Sequence, residues 1–152
     1  MKKGFTLVEL MMVMVLVGIL VAVALPKYNA SLERSRALEG ITALKDVSDY
    51  LNTHYVMNGN QYENVSIGDI DKKIDTFQLR NFGIADISIE NSTSPKTATV
   101  EVTRDDAKGW DYSLVAINEN GVLKKIRCDG YAPDCQAAGM KQVGNEMILD
   151  VM

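Results

Sequence analysis

An apolar run from Phe5 to Leu25, broken only by Thr6 and Glu9, constrains this chain more than any other feature. As a helix its roughly 21 residues measure about 31 Å, which matches a hydrocarbon core of roughly 30 Å. Lys2 and Lys3 precede the run, and the positive-inside tendency places them in the cytoplasm with the rest of the chain beyond the membrane. That remainder is polar with small apolar clusters. Across all 152 residues, 47% apolar and 24% charged is a globular composition, sized for one ordinary domain or one domain plus an appendage. A net charge of −4 argues against coating nucleic acid. One His and two Cys put a three- or four-ligand zinc site out of reach.

Three readings of the apolar run compete: a plain single-span anchor, a secretory signal peptide, and a span with a working carboxylate. Ala22-Val23-Ala24 has the small residues of a signal cleavage site. The run is longer than the usual apolar region of such a peptide, however, and it contains Glu9. A carboxylate in a membrane helix is costly and asks for a cationic partner, which makes Glu9 a functional candidate.

Gly4-Phe5-Thr6-Leu7-Val8-Glu9-Leu10, with a short basic leader before it and Gly18 and Pro26 after it, resembles the type IV prepilin signal. The resemblance reaches to about Tyr55 and covers the globular part only in outline. It implies that a prepilin peptidase cuts between Gly4 and Phe5 and methylates the new Phe5 amine. Glu9 would then be the fifth residue after the cut. An N-terminal cation and Glu9 on each subunit can neutralise each other between staggered neighbours, whereas a wrong register leaves buried charges unpaired. Heterologous contacts that do not close give a filament. Pro26 removes a backbone donor and Gly18 is a second weak point. The resemblance implies that this stretch can lose helical order inside a filament and supply extensibility.

Beyond Pro26, Leu38, Ile41, Leu44, Val47, Leu51 and Tyr55 recur at intervals of three and four, an amphipathic helical stripe. Glu39, Thr42, Lys45, Asp46, Asp49 and Asn52 occupy the other faces, with Lys45 and Asp49 as an i,i+4 pair. Asn58-Gly59-Asn60 ends the pattern. A helix over Phe5–Met57 is about 80 Å long, so half of it must protrude into a membrane or a bundle of copies. Residues 61–83 read as irregular, with a short helical turn near Asp69–Phe77. Asp69, Asp71 and Asp75 hint at a calcium loop but lack the glycine and closing glutamate of an EF-hand.

Alternation predicts antiparallel strands. Ala85, Ile87 and Ile89 share one face; so do Ala98, Val100 and Val102; then Trp110, Tyr112, Leu114 and Ala116; then Val122, Ile126 and Cys128. Asp105–Gly109 and Asn118–Gly121 read as hairpin loops. The expected fold is α+β: a long N-terminal helix, half transmembrane, packed on an antiparallel meander. Trp110 and Tyr112 are expected to fill the interface.

Cys128 and Cys135 bracket a loop containing Gly130 and Pro133. Outside the cytoplasm they are expected to form a disulfide; the resemblance implies a C-terminal staple that often contacts neighbours or surfaces. No catalytic constellation, metal site or cofactor motif emerges. His54 reads as an exposed or interfacial side chain, and the sequons at Asn29, Asn64 and Asn91 as chance matches.

The expected organisation is a leader over 1–4, a helix over 5–57 with 5–25 in membrane or filament core, and a globular part over 58–152. The function expected is a type IV pilin, a structural subunit and not an enzyme. Its partners would be copies of itself, the peptidase, the inner-membrane assembly machinery and, before assembly, membrane lipid. Its course runs from the inner membrane to an extracellular pilus. A pseudopilin of a type II secretion system, with a periplasmic fibre, is the alternative. An anchored periplasmic binding protein is less favoured, because no cluster of convergent polar groups marks a cleft.

Overall fold

The computed structural model describes residues 6–62, 65–66, 68–70, 72, 79–104 and 109–149. Helix α1 runs unbroken over Leu7–Met57, 51 residues, about 75 Å. Strands β1 (Phe82–Glu90), β2 (Thr97–Arg104), β3 (Tyr112–Glu119) and β4 (Val122–Gly130) follow, then the short helix α2 (Ala132–Ala137), β5 (Lys141–Val143) and β6 (Glu146–Leu149). The sheet order is β1-β2-β3-β4-β6-β5, and every neighbouring pair is antiparallel. The four-strand meander expected from alternation is present, extended by a C-terminal hairpin. That hairpin turns at Gly144, in the left-handed region, followed by Asn145.

One face of the sheet packs on the second half of α1. Ala37, Ile41, Leu44, Val47, Leu51 and Tyr55 meet Ala98, Val100, Val102, Tyr112, Leu114, Ala116, Ile126 and Cys128 in one buried core. Gly40 permits the close approach: a Cβ there would lie 3.1 Å from Leu114 Cδ1 and 3.2 Å from the Phe82 ring. Leu38 is a correction. It is 56% exposed, because Ala37 holds the stripe position and Leu38 lies one residue, about 100° at 3.6 residues per turn, around the helix.

Two further corrections have one physical cause. A register shift between Ile84 and Asp86 makes Ala85 the extra residue of a bulge, so Ile84, Ile87 and Ile89 face inward opposite Val102, Val100 and Ala98 while Ala85 is exposed. A second shift skips Lys124, so Leu123 takes the inward side and Val122 is 54% exposed. The Asn120-Gly121 turn between β3 and β4 has φ of 50° and 78°, the pattern of a type I′ hairpin. Lys45 and Asp49 form no ion pair. Trp110 precedes β3 and packs half-buried at the core's edge, whereas Tyr112 is fully inside.

The domain has two ends along α1. Tyr55, Tyr62 and the Asn120-Gly121 turn gather at the far end, where Gly121 N–H donates to Tyr62 Oη at 2.7 Å. At the near end, toward the exposed half of α1, Glu33 meets the end of β2 and the start of β3. The segment joining α1 to β1 is tied at both its ends. Tyr62 N–H donates to Asn91 Oδ1 at 3.0 Å. Glu39 accepts from the Arg80 and Asn81 N–H groups and from Asn81 Nδ2 at 2.6 Å. Burial raises the Glu39 pKa, but these donors outweigh it and hold the carboxyl below its ordinary range. A helical turn at residues 68–70 overlaps the start of the expected one, and residues 73–77 of that expectation lie outside the described residues. Asp71 and Asp75 of the calcium reading lie outside the described residues, and no metal-holding cluster occurs among the described ones.

Candidate assembly site

The first half of α1 has no partner within the chain. From Leu7 to Leu25 every side chain is exposed. This is the one helix among the described residues long and apolar enough to cross a membrane. Apolar surface on this scale is covered by lipid or by protein.

The helix starts with a capping box. Thr6 is the N-cap, and its hydroxyl accepts from Glu9 N–H at 3.3 Å. The Glu9 carboxylate reaches back, and its Oε2 accepts from Thr6 N–H at 2.9 Å and from Thr6 Oγ1 at 2.8 Å. This arrangement satisfies donors that a helix terminus otherwise leaves open. Sequence reasoning assigned Glu9 to an external cation and missed this local partner. The Thr-x-x-Glu spacing ahead of an apolar run was the available signal. Gly4 and Phe5 lie outside the described residues.

Gly18 has nothing within 4 Å of where a Cβ would stand. Pro26 sits inside the continuous helix, and its missing N–H leaves the Ala22 carbonyl without its helical donor. Seven residues later the helix meets the domain at Glu33, which is fully buried. Arg104 Nε donates to Glu33 Oε1 at 2.7 Å, and Tyr112 Oη donates to the same oxygen at 2.8 Å. Arg104 Nη2 and Arg36 Nη1 reach Oε2 at 3.3 and 3.4 Å. Burial pushes the Glu33 pKa up, but the Arg104 and Tyr112 hydrogen bonds and the Arg104 charge outweigh it, so the net shift is downward. Burial and the neighbouring carboxylate push the Tyr112 phenol up, so it stays a donor. Glu33 continues the buried stripe of Ala37, Ile41 and Leu44, a spacing that marks it as buried; its partners were not legible.

The prokaryotic N-terminal methylation motif matches residues 1–25. The chain is 32% identical over 124 residues to the type IV major pilin protein PilE1 of Neisseria gonorrhoeae, covering 81% of this chain and 73% of the relative. A fimbrial protein of Neisseria meningitidis serogroup A is 28% identical over 123 residues, covering 81% and 71%. The type IV major fimbrial protein FimA of Dichelobacter nodosus is 54% identical over 41 residues, covering 27% and 26%. No solved structure matches the chain significantly. The chain belongs to the type IV pilin family.

In this pilin Cys128, on β4, and Cys135, in α2, are disulfide-bonded with Cα atoms 5.8 Å apart. The expected loop between them is partly helical, because Pro133 falls in the first turn of α2, where its missing N–H costs nothing. The stapled segment is tied to the start of β3: Tyr131 N–H donates to Asp111 O at 3.2 Å, and Asp111 N–H donates to Asp134 Oδ2 at 3.1 Å. Gly130 makes this approach possible, since a Cβ there would fall 2.5 Å from Asp111 O. His54 is half-exposed near the far end of α1, its ring nitrogens against Asn58 Nδ2 at 2.9 and 3.1 Å.

Proposed function

We propose that this pilin is made as a prepilin, cut between Gly4 and Phe5 by prepilin peptidase and methylated on the Phe5 amine. It is then drawn from the inner membrane by assembly machinery into a helical filament of its own copies. Residues 1–4 are the leader, 5–57 the helix whose 5–25 portion becomes the filament core, and 58–152 the outer domain. The observation that carries this reading is the wholly exposed apolar half of α1 with a carboxylate in its first turn. Lipid covers that surface before assembly, and the helices of neighbouring copies cover it afterwards. Both Thr6 bonds go to Glu9 Oε2, and we assign the neighbour's Phe5 amine to Oε1. Gly18 and the donor gap at Pro26 give the filament its compliance.

The names of the relatives, major pilins and fimbrial proteins, support a pilus over a periplasmic pseudopilus, and a filament subunit over an enzyme. Intact mass of sheared surface fibres tests the reading. The expected chain begins at Phe5 with one added methyl, and Gly4→Val blocks its appearance. A subunit retaining Met1, or one beginning at Leu25, overturns the processing scheme.

A further inference from the structure

The near end of the domain carries a cleft of about 520 Å³ that the assembly reading leaves unused. Its walls are Asn29, Leu32 and Arg36 of α1, Gly109 and Trp110 ahead of β3, and Asp134 of α2. Its height relative to the membrane follows from the helix. Leu25 ends the apolar run, so Asn29 stands about 6 Å and Leu32 about 10 Å further along α1. Headgroup layers occupy roughly 5–8 Å on each side of the hydrocarbon core, so Asn29 stands in that layer and Leu32 just above it, while Arg36, about 16 Å along α1, reaches down toward it through its long side chain. Helical side chains lean toward the helix N-terminus, here toward the membrane. Lys27 and Tyr28, both exposed, mark the same boundary with the residue types that favour it.

The lining has the chemistry of a zwitterion receptor. Arg36 is the cation, and its contact with Glu33 is long, at 3.4 Å through one nitrogen. Guanidinium groups suit phosphate oxygens. Asp134 is the anion, and the Asp111 N–H bond occupies Oδ2. Trp110 adds an amphipathic ring of the kind that settles at membrane interfaces.

We infer that this cleft seats the headgroup of a phosphatidylethanolamine lipid, with the phosphate on Arg36 and the primary ammonium on Asp134. Such a lipid holds the domain upright on the bilayer before the subunit is extracted. Phosphatidylcholine loses the hydrogen bond to Asp134, because its quaternary ammonium has no N–H to donate. The inference rests on the membrane-anchored stage of the proposed function.

Trp110 is the chain's single tryptophan, so its fluorescence reports the cleft directly. The full chain is reconstituted in vesicles of phosphatidylethanolamine with phosphatidylglycerol, and in vesicles where phosphatidylcholine replaces the phosphatidylethanolamine. Flotation is measured alongside. The expected result is flotation with both, and Trp110 emission at shorter wavelength with phosphatidylethanolamine. Asp134→Asn keeps an acceptor for Asp111 N–H and is expected to abolish the difference between lipids. Failure to float overturns the anchoring reading itself. Flotation with identical emission in the two lipids overturns the headgroup site alone. Emission that follows protein density and ignores lipid identity assigns the cleft to a second copy and also overturns it.

Discussion

Glu33 and Arg104, 71 residues apart in sequence, join in a two-toothed ion pair at the point where the exposed apolar half of α1 leaves the domain. Glu33 is fully buried and the Arg104 side chain is 5% exposed. Arg104 also donates to Asn81 O at 2.9 Å, and its guanidinium lies 5.7 Å from the Phe82 ring centroid. One arginine therefore links α1, the start of β1 and the end of β2. The pair fixes how the protruding rod is held, because Glu33 is the last fully buried α1 residue before the exposed half.

Breaking this pair from one side strands a buried charge. Arg104→Met is expected to cost roughly 3–5 kcal/mol. Glu33→Leu with Arg104→Met removes both charges and should recover most of that loss, leaving the Tyr112 hydroxyl to find water. Denaturant unfolding of the full chain in micelles measures both. A double variant as unstable as Arg104→Met alone would show that packing, not the stranded charge, dominates here.

The same carboxylate sets an acid limit. Glu33 has a lowered pKa in the folded chain, so below the ordinary glutamate value of roughly 4.3 the unfolded chain binds the proton first. Stability is therefore full above that value and falls as pH drops through the folded pKa. Glu39, lowered for its own reasons, acts in the same direction. Unfolding midpoints between pH 7 and pH 3 should show the decline, and Glu33→Gln should flatten it while lowering stability at pH 7. An equally steep acid decline in Glu33→Gln would refute the assignment to Glu33.

The disulfide closes a short segment, with a sequence separation of 7. Loss of both thiols in Cys128→Ser/Cys135→Ser is expected to cost roughly 2–3 kcal/mol by loop entropy. The loss should concentrate at the near end, where the segment holds the start of β3 through Asp111. Hydrogen exchange at Asp111 and Tyr131 reads this locally; unchanged protection there, with a normal midpoint, would leave the staple without a stabilising role.

Periodicity made the helix, the meander and their shared core legible, because burial of one face acts residue by residue along each element. Bulges were not legible. Ala85 and Lys124 are extra residues whose cost is settled by neighbouring strands, and nothing in their own identity announces them. The β5–β6 hairpin was too short for an alternation pattern, although Gly144-Asn145 carries a turn signal. Glu33 stood in phase with the stripe, yet Arg104 and Tyr112 reach it only through the sheet register. The Thr6–Glu9 box is fully local and readable from its Thr-x-x-Glu spacing.

That box sharpens the test of Glu9, which now has two competing roles. As a cap, Glu9 serves its own helix; as an assembly residue, it meets the Phe5 amine of a neighbour. Thr6→Ala removes the cap hydroxyl and keeps the carboxylate, at a cost of about 1 kcal/mol to the helix start. Glu9→Leu removes the carboxylate, which makes membrane insertion of the single subunit easier but leaves the neighbour's amine without a partner in apolar surroundings. Membrane fractions give the subunit level, and sheared surface fibres give the assembled yield. At equal membrane levels, Glu9→Leu expressed alone is expected to lose most fibres while Thr6→Ala retains most of them. Co-expression with wild type should let some Glu9→Leu subunits enter, since neighbours supply the remaining helix contacts. Equal losses in the two variants would mean that capping alone explains Glu9. Wild-type yields from Glu9→Leu would remove the carboxylate from assembly altogether, leaving apolar contact as the only force between the helices.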